Sequence, residues 1–192
     1  MRVLLVGNGG REHAMAAALC KSGFGLQFYV FANAKNPGIS RLVCEHHGEM
    51  MIGDINDGDA VAKWALDKHV ELALIGPDAV LEAGVVDELQ KAGVACASPE
   101  REAARLEWDK PFARDLMKKY SVPGLPAFGV FGDQKLAARM IDDLEGDVAI
   151  KPAGLTAGKG VKVMGAQLNS IADAKKYAGE VIEKRIGGMP AV

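Results

Sequence analysis

Two short apolar runs, each cut off by glycine, constrain this chain more than any other feature. Val3-Leu4-Leu5-Val6 stops at Gly7, and Leu72-Ala73-Leu74-Ile75 stops at Gly76-Pro77. Neither run alternates with polar residues, so a strand formed from either must be covered on both faces, as in a parallel sheet with helices on each side. Helical spacing fills the intervals. A helix is expected from Arg11 to Lys21, another where Val61, Trp64 and Ala65 fall at i, i+3 and i+4, and a third marked by Val85, Leu89 and Ala92. Further strands are expected at Leu26 to Phe31 and Val94 to Ala97. Strands alternating with helices predict an α/β fold: a doubly wound parallel sheet of right-handed βαβ units, ending near residue 100.

The second half reads differently. A helix from Lys110 to Tyr120 leads into Ser121-Val122-Pro123-Gly124-Leu125-Pro126, which breaks regular structure. The expected organisation is therefore a domain over 1–100, a helical linker over 101–123 and a small α+β unit over 124–192. In that unit the order from Ala127 is strand, helix with Leu136, Met140, Ile141 and Leu144 on one face, and strand from Val148 to Lys151. A glycine-rich loop, a strand from Val161 to Met164 and a helix with Ala174, Tyr177, Ala178 and Val181 inward complete it. A chain of 192 residues is long enough for such a domain and a smaller unit.

Net charge is −2 with pI near 6.1, which provides no basic field for nucleic acid or an anionic membrane. Phosphate, if bound, must be held by local geometry. Cys20, Cys44 and Cys96 are odd in number and lack CxxC spacing, so they read as buried thiols of a reduced compartment rather than a disulfide or zinc set. No apolar stretch reaches the ~18 residues a bilayer span needs, and the opening run is too short for a signal peptide. The default expectation is a cytoplasmic protein.

Gly7-Asn8-Gly9-Gly10-Arg11-Glu12-His13 lies where the first strand turns into the first helix. Glycines there let backbone N–H groups approach a ligand, and a helix N-terminus favours anions. A dinucleotide fingerprint would need glycine where Glu12 stands and an acidic residue after the second strand, where Ala32 and Asn33 occur. A phosphate or ribose site fits better; a plain tight turn with Glu12 and His13 on a solvated helix face stays open. Gly76-Pro77-Asp78 offers a carboxylate at the end of another strand, or ordinary turn chemistry.

In the second unit, Lys151 precedes Gly154-Leu155-Thr156-Ala157-Gly158-Lys159-Gly160. A Walker A loop has four residues before Gly-Lys and then Ser or Thr, whereas this loop has three and then Gly160. It is a different phosphate-covering design, or a hairpin turn. Asp109 and Pro111 suit a helix start around Lys110, which by itself reads as a surface lysine. His46-His47 and Met50-Met51 read as a loop and a strand edge, and Trp64 and Trp108 as packing anchors. The residues alone single out no catalytic group and no metal ligand.

In this order the motifs resemble glycinamide ribonucleotide synthetase, the phosphoribosylamine–glycine ligase family of the ATP-grasp superfamily. Gly7-Asn8-Gly9-Gly10-Arg11-Glu12-His13-Ala14 matches the family's opening motif, and Gly76-Pro77-Asp78 with Gly84-Val85-Val86-Asp87 its second signature. Leu106-Glu107-Trp108-Asp109-Lys110 and Lys151-Pro152-Ala153-Gly154-Leu155-Thr156-Ala157-Gly158-Lys159-Gly160-Val161 match the third and fourth. Asp78 stands where many members have glutamate, Trp108-Asp109 replaces a common Gly-Ser, and Ala153 replaces a frequent aspartate.

The resemblance implies a pre-ATP-grasp domain followed by an ATP-grasp lid subdomain. It implies a phosphoribosylamine site at Gly7, Asn8, Gly9, Gly10, Arg11, Glu12, Gly76, Pro77 and Asp78, and ATP contacts at Lys110, Lys151, Gly154, Gly158, Lys159 and Gly160. The implied reaction joins glycine to 5-phosphoribosylamine through glycyl phosphate, with ATP and Mg²⁺, in purine biosynthesis. The Mg²⁺ ligands are expected beyond residue 192, so by this reading the chain is truncated and inactive alone, with a complementary C-terminal ligase fragment as a partner. Two alternatives stay open: a stand-alone nucleotide- or phosphoribose-binding module, and another ATP-grasp carboxylate–amine ligase of purine metabolism, against which the opening octapeptide argues.

Overall fold

A computed structural model describes residues 1–156 and 158–188. The chain divides into two compact units, Met1–Ala104 and the residues from Arg105 onward.

The first unit runs β1 (Arg2–Val6), α1 (Gly10–Cys20), β2 (Gln27–Ala32), α2 (Pro37–Glu45), β3 (Met50–Ile52), α3 (Gly58–Asp67), β4 (Leu72–Ile75), α4 (Asp78–Glu82), α5 (Val85–Lys91) and β5 (Ala95–Cys96). Helix α6 (Arg101–Trp108) crosses the division. The five strands are all parallel, in the order β3-β2-β1-β4-β5. This is the doubly wound sheet that the uninterrupted apolar runs predict. Val3, Leu4, Leu5 and Val6 are fully buried because β1 is central and both its faces are covered.

In-register pairing sets Leu5 beside Val30 and Leu74. One face packs Leu5, Phe28, Val30 and Ala32 against Ala16 of α1 and Ile39 and Val43 of α2. On the other, Tyr29 and Phe31 meet Trp64 of α3 edge-on, with ring centroids 5.9 and 5.8 Å apart, which makes Trp64 the anchor its type suggests. Side-chain caps start the helices: Asn36 accepts from the N–H groups of Gly38 and Ile39, and Asp57 from that of Ala60.

The thiols depart from expectation. Cys44 is exposed and Cys20 and Cys96 are half-buried. Ile39 and Val43 define the inward face of α2, and the next residue, Cys44, is turned about 100° away from it. Partial burial pushes the Cys96 thiol up to about 11, and burial and then Glu45 raise Cys20.

The second unit contains α7 (Lys110–Lys119), α8 (Gln134–Asp143), β6 (Ala149–Ile150), β7 (Lys162–Val163) and α9 (Ile171–Glu183). Strands β6 and β7 form an antiparallel pair. Ala137 and Ile141 of α8, Ile150, Leu168, and Ala174, Tyr177, Ala178 and Val181 of α9 make its core. Two expectations fail here. The strand expected from Ala127 does not form: residues 127–131 carry no regular structure, and β6 pairs with β7. Leu136 is 49% exposed, because Ala137 and Ile141, one helical turn apart, set the buried face of α8. No helix among the described residues is long and apolar enough to cross a membrane.

Candidate functional site

Strand order reverses at β1: β2 and β3 lie on one side of it, β4 and β5 on the other. Doubly wound sheets bind ligands at such a switch point, in the crevice between the loops leaving the two central strands. Those loops are Gly7–Gly9 after β1 and Gly76–Pro77 after β4, two of the segments singled out in the sequence.

Glu12 holds them. The residue is 4% exposed, and its Oε2 accepts the Gly9 N–H at 2.6 Å, the returning half of a capping box. Three glycines leave room for this side chain. A Cβ on Gly9 would lie 2.6 Å from Glu12 Oε2, one on Gly7 2.8 Å from its Cγ, and one on Gly76 would run into Oε1. Gly7 also has φ +119°, a conformation that glycine alone adopts readily, and its N–H donates to the Phe31 carbonyl at 2.9 Å. Glu12 Oε1 is buried with no hydrogen-bond partner among the described residues. The reading of Glu12 as a residue on a solvated face is thereby overturned: spacing puts it on the first turn of α1, but the loops close over it.

The remaining predicted residues surround this clamp. The Asn8 carbonyl accepts from Asn36 Nδ2 at 3.0 Å, which ties the glycine loop to the start of α2. Asn36 was not singled out in the sequence, though an Asn-Pro pair before Ile39 and Val43 is a helix-start signal. Gly10 begins α1 with open space where a Cβ would go. Pro77 precedes α4, and Asp78, its first residue, pairs with Arg11 at 3.6 Å. Arg11 is well exposed and Asp78 partly so, so that pair is worth about 0–1 kcal/mol and leaves the guanidinium in solvent. His13 is half-buried and packs against Gly38.

In the second unit, Lys110 opens α7 beside the glycine-rich loop. Asp109 caps this helix, Oδ1 accepting from the Phe112 N–H at 3.0 Å, while Oδ2 pairs with Arg105 at 2.9 Å. The carboxylate adjoining Lys110 is thus fully engaged. Lys110 Nζ donates to the Gly154 carbonyl at 3.0 Å. Burial, and then the charge of Lys151, hold the Lys110 ammonium below its ordinary pKa. Lys151 follows directly after β6 and is exposed. Among the described residues, no carboxylate pairs with either lysine. Both line a cavity of about 630 Å³ that also takes in Arg114 and Asp147, with Met117, Phe128, Met140 and Ile150 in its largely apolar wall.

Of the loop itself, Gly154 and Gly160 are buried, whereas Gly158 and Lys159 are exposed. Gly158 has φ +77° and open space around it. Ala157 lies outside the described residues, as do Met189 to Val192. Gly160 donates its N–H to Thr156 Oγ1 at 3.2 Å and accepts from the Tyr177 hydroxyl at 3.0 Å. The sequence marked Tyr177 only as a core position. Trp108 is 9% exposed, its Nε1 without a hydrogen-bond partner among the described residues. The described residues contain no group of three or more His, Cys, Asp or Glu side chains that could hold a metal ion, so they do not by themselves fit a Mg²⁺ site.

Comparison with known proteins adds the following. Residues 1–107 match the family described as phosphoribosylglycinamide synthetase, N domain, and residues 108–191 its ATP-grasp (A) domain. The chain is 48% identical over 193 aligned residues to the phosphoribosylamine–glycine ligase of Methanopyrus kandleri, covering 100% of this chain and 42% of the relative. It is 47% identical to the enzyme of the same name from Methanoregula boonei, covering 98% and 44%. The chain therefore spans less than half the length of these relatives. In fold it is similar to phosphoribosylglycinamide synthetase from Anaerococcus prevotii, with TM-score 0.55 at 18% identity over 89% of this chain and 40% of that one. It is also similar to N5-carboxyaminoimidazole ribonucleotide synthetase from Thermotoga maritima, with TM-score 0.54 at 15% identity over 97% and 62%.

Proposed function

The chain belongs to the phosphoribosylglycinamide synthetase family, and from that premise we propose that it binds ATP and 5-phosphoribosylamine as part of a ligase that joins the latter to glycine. The observation that carries the ATP reading is the pair Lys110 and Lys151. Lys151 lies near enough to the half-buried Lys110 to disfavour its charge, the two flank a glycine-rich loop, and among the described residues no carboxylate forms an ion pair with either. Such a pair is stabilised by an anion, and a polyphosphate supplies several negative oxygens at once.

In this reading residues 124–192 act as the lid, with Gly154, Gly158, Lys159 and Gly160 covering the phosphates, and 101–123 as the linker carrying Lys110. Residues 1–100 hold the phosphoribosyl group, with the first N–H groups of α1 and the Arg11 guanidinium facing its phosphate. Asn8, Gly9, Gly76, Pro77 and Asp78 shape the crevice, Asp78 suiting an amine or a ribose hydroxyl. The family resemblance gives the reaction its course. Glycine's carboxylate takes the terminal phosphoryl group of ATP as ADP leaves, then the amine of phosphoribosylamine attacks the acyl carbon and phosphate departs. The lysines contribute by offsetting charge on the transferring group. ATP and Mg²⁺ as cofactors, glycine as co-substrate and a cytoplasmic setting belong to the same proposal.

Titration of the chain with ATP tests it. Lys151→Ala is expected to weaken binding by about 1.5–3 kcal/mol, roughly tenfold to a hundredfold. Wild-type affinity in that variant sinks the ATP assignment. ATP binding without ADP release dependent on both glycine and phosphoribosylamine, in this chain and in any longer form, supports a binding module instead.

A further inference from the structure

We propose that Tyr177 is a positioning residue for the glycine-rich loop, its hydroxyl pinning Gly160 so that the stretch before it closes from a fixed root. The inference rests on the reading of that loop as a phosphate cover. On helical spacing Tyr177 is a core residue of α9 beside Ala174, Ala178 and Val181, and its ring is indeed 7% exposed. Packing alone would be served by phenylalanine. The hydroxyl reaches out of the core and donates to the Gly160 carbonyl at 3.0 Å, a buried bond that spans 17 residues of chain.

Gly160 is held on its other side as well, since its N–H donates to Thr156 Oγ1 at 3.2 Å. A Cβ there would lie 2.8 Å from Pro152 Cγ and from both Thr156 Oγ1 and Cγ2, so the position admits only glycine without rearrangement. The opposite root is anchored too, the Gly154 carbonyl accepting from Lys110 Nζ at 3.0 Å. Between the anchors, Gly158 and Lys159 are exposed. A loop bonded at both roots loses less conformational freedom when it closes on an anion than one attached by the chain alone. Lys162 Nζ stands 3.9 Å from the Tyr177 ring centroid and steadies the ring from the strand that follows the loop. Burial and then Glu180 raise the phenol's pKa, so the hydroxyl keeps its proton, and its donor role, above neutral pH.

Tyr177→Phe retains the ring, the core contacts and the Lys162 contact, and removes only the donor. The test compares wild type, Tyr177→Phe and Lys151→Ala as 192-residue chains, by amide hydrogen exchange without nucleotide and by ATP titration. In Tyr177→Phe, exchange at residues 158–160 is expected to accelerate about three- to tenfold and ATP affinity to fall by a similar factor, with α8 and the rest of α9 exchanging as in wild type. Faster exchange spread evenly over α8, α9 and the loop marks Tyr177 as merely structural and overturns the proposal. So does unchanged ATP affinity in Tyr177→Phe where Lys151→Ala loses it. Unchanged affinity in both variants overturns the nucleotide reading beneath it and the positioning role with it.

Discussion

Glu12 shows how much one side chain can organise. Its carboxylate holds the Gly9 N–H, and its flank lies against Gly7 and Gly76, so loops from two strands are spaced by a single buried group. Gly76→Ala is expected to destabilise the protein by about 1–3 kcal/mol, because the new methyl meets Glu12 Oε1 inside closed packing. In a Glu12→Ala background the obstacle is gone, and the cost of Gly76→Ala should fall to about 0.5 kcal/mol or less. Urea unfolding of the four proteins measures the coupling, and additive costs would show that the two residues do not constrain each other. The glycines were legible as motif members because their spacing is local. That they make room for Glu12 was not, since Gly76 lies 64 positions later, in the loop after β4.

At the scale of elements, local chemistry marks starts better than faces. Asp133 caps α8 by accepting from the N–H groups of Lys135 and Leu136 at 2.8 and 3.0 Å, and Ser170 caps α9 through Asp173 N–H at 3.1 Å. Asp133→Ala should cost about 0.5–2 kcal/mol of unfolding free energy, with Asp133→Asn restoring most of it; equal losses in both variants would argue against the cap. The face of α8 was only partly legible, as Met140 and Leu144 reach the cavity wall but Leu136 turns to solvent. Helix α2 carries Ile39, Leu42 and Val43 at helical spacing but was not singled out, and of the three-residue β3 the strand edge at Met50-Met51 was legible. The strand expected at Ala127 has no pairing partner among the described residues, and hydrophobic content alone does not make a strand.

For the whole molecule, each unit has its own core, and each contains one of the protein's two tryptophans. Ile39 is fully buried between α2 and the sheet, and Ile141 lies in the core of the second unit. Ile39→Ala is expected to lower stability by about 2–5 kcal/mol and to move the melting transition read at Trp64 further than that read at Trp108. Ile141→Ala should do the reverse. Single-tryptophan variants monitored by fluorescence give the two readings, and identical shifts from both substitutions would show that the cores melt as one. The sequence by itself determined the parallel sheet and the loops that end its strands, because uninterrupted apolar runs, helical spacing and glycine punctuation are local properties of a chain. Through motif order it also pointed to the family. Only the tertiary structure decided that β1 and β4 are neighbours at the switch point, that Glu12 is enclosed, that Lys110 and Lys151 line one cavity, and that a core tyrosine reaches Gly160. Those relations join residues far apart in sequence, and only the packed chain sets the distances on which burial and charge depend.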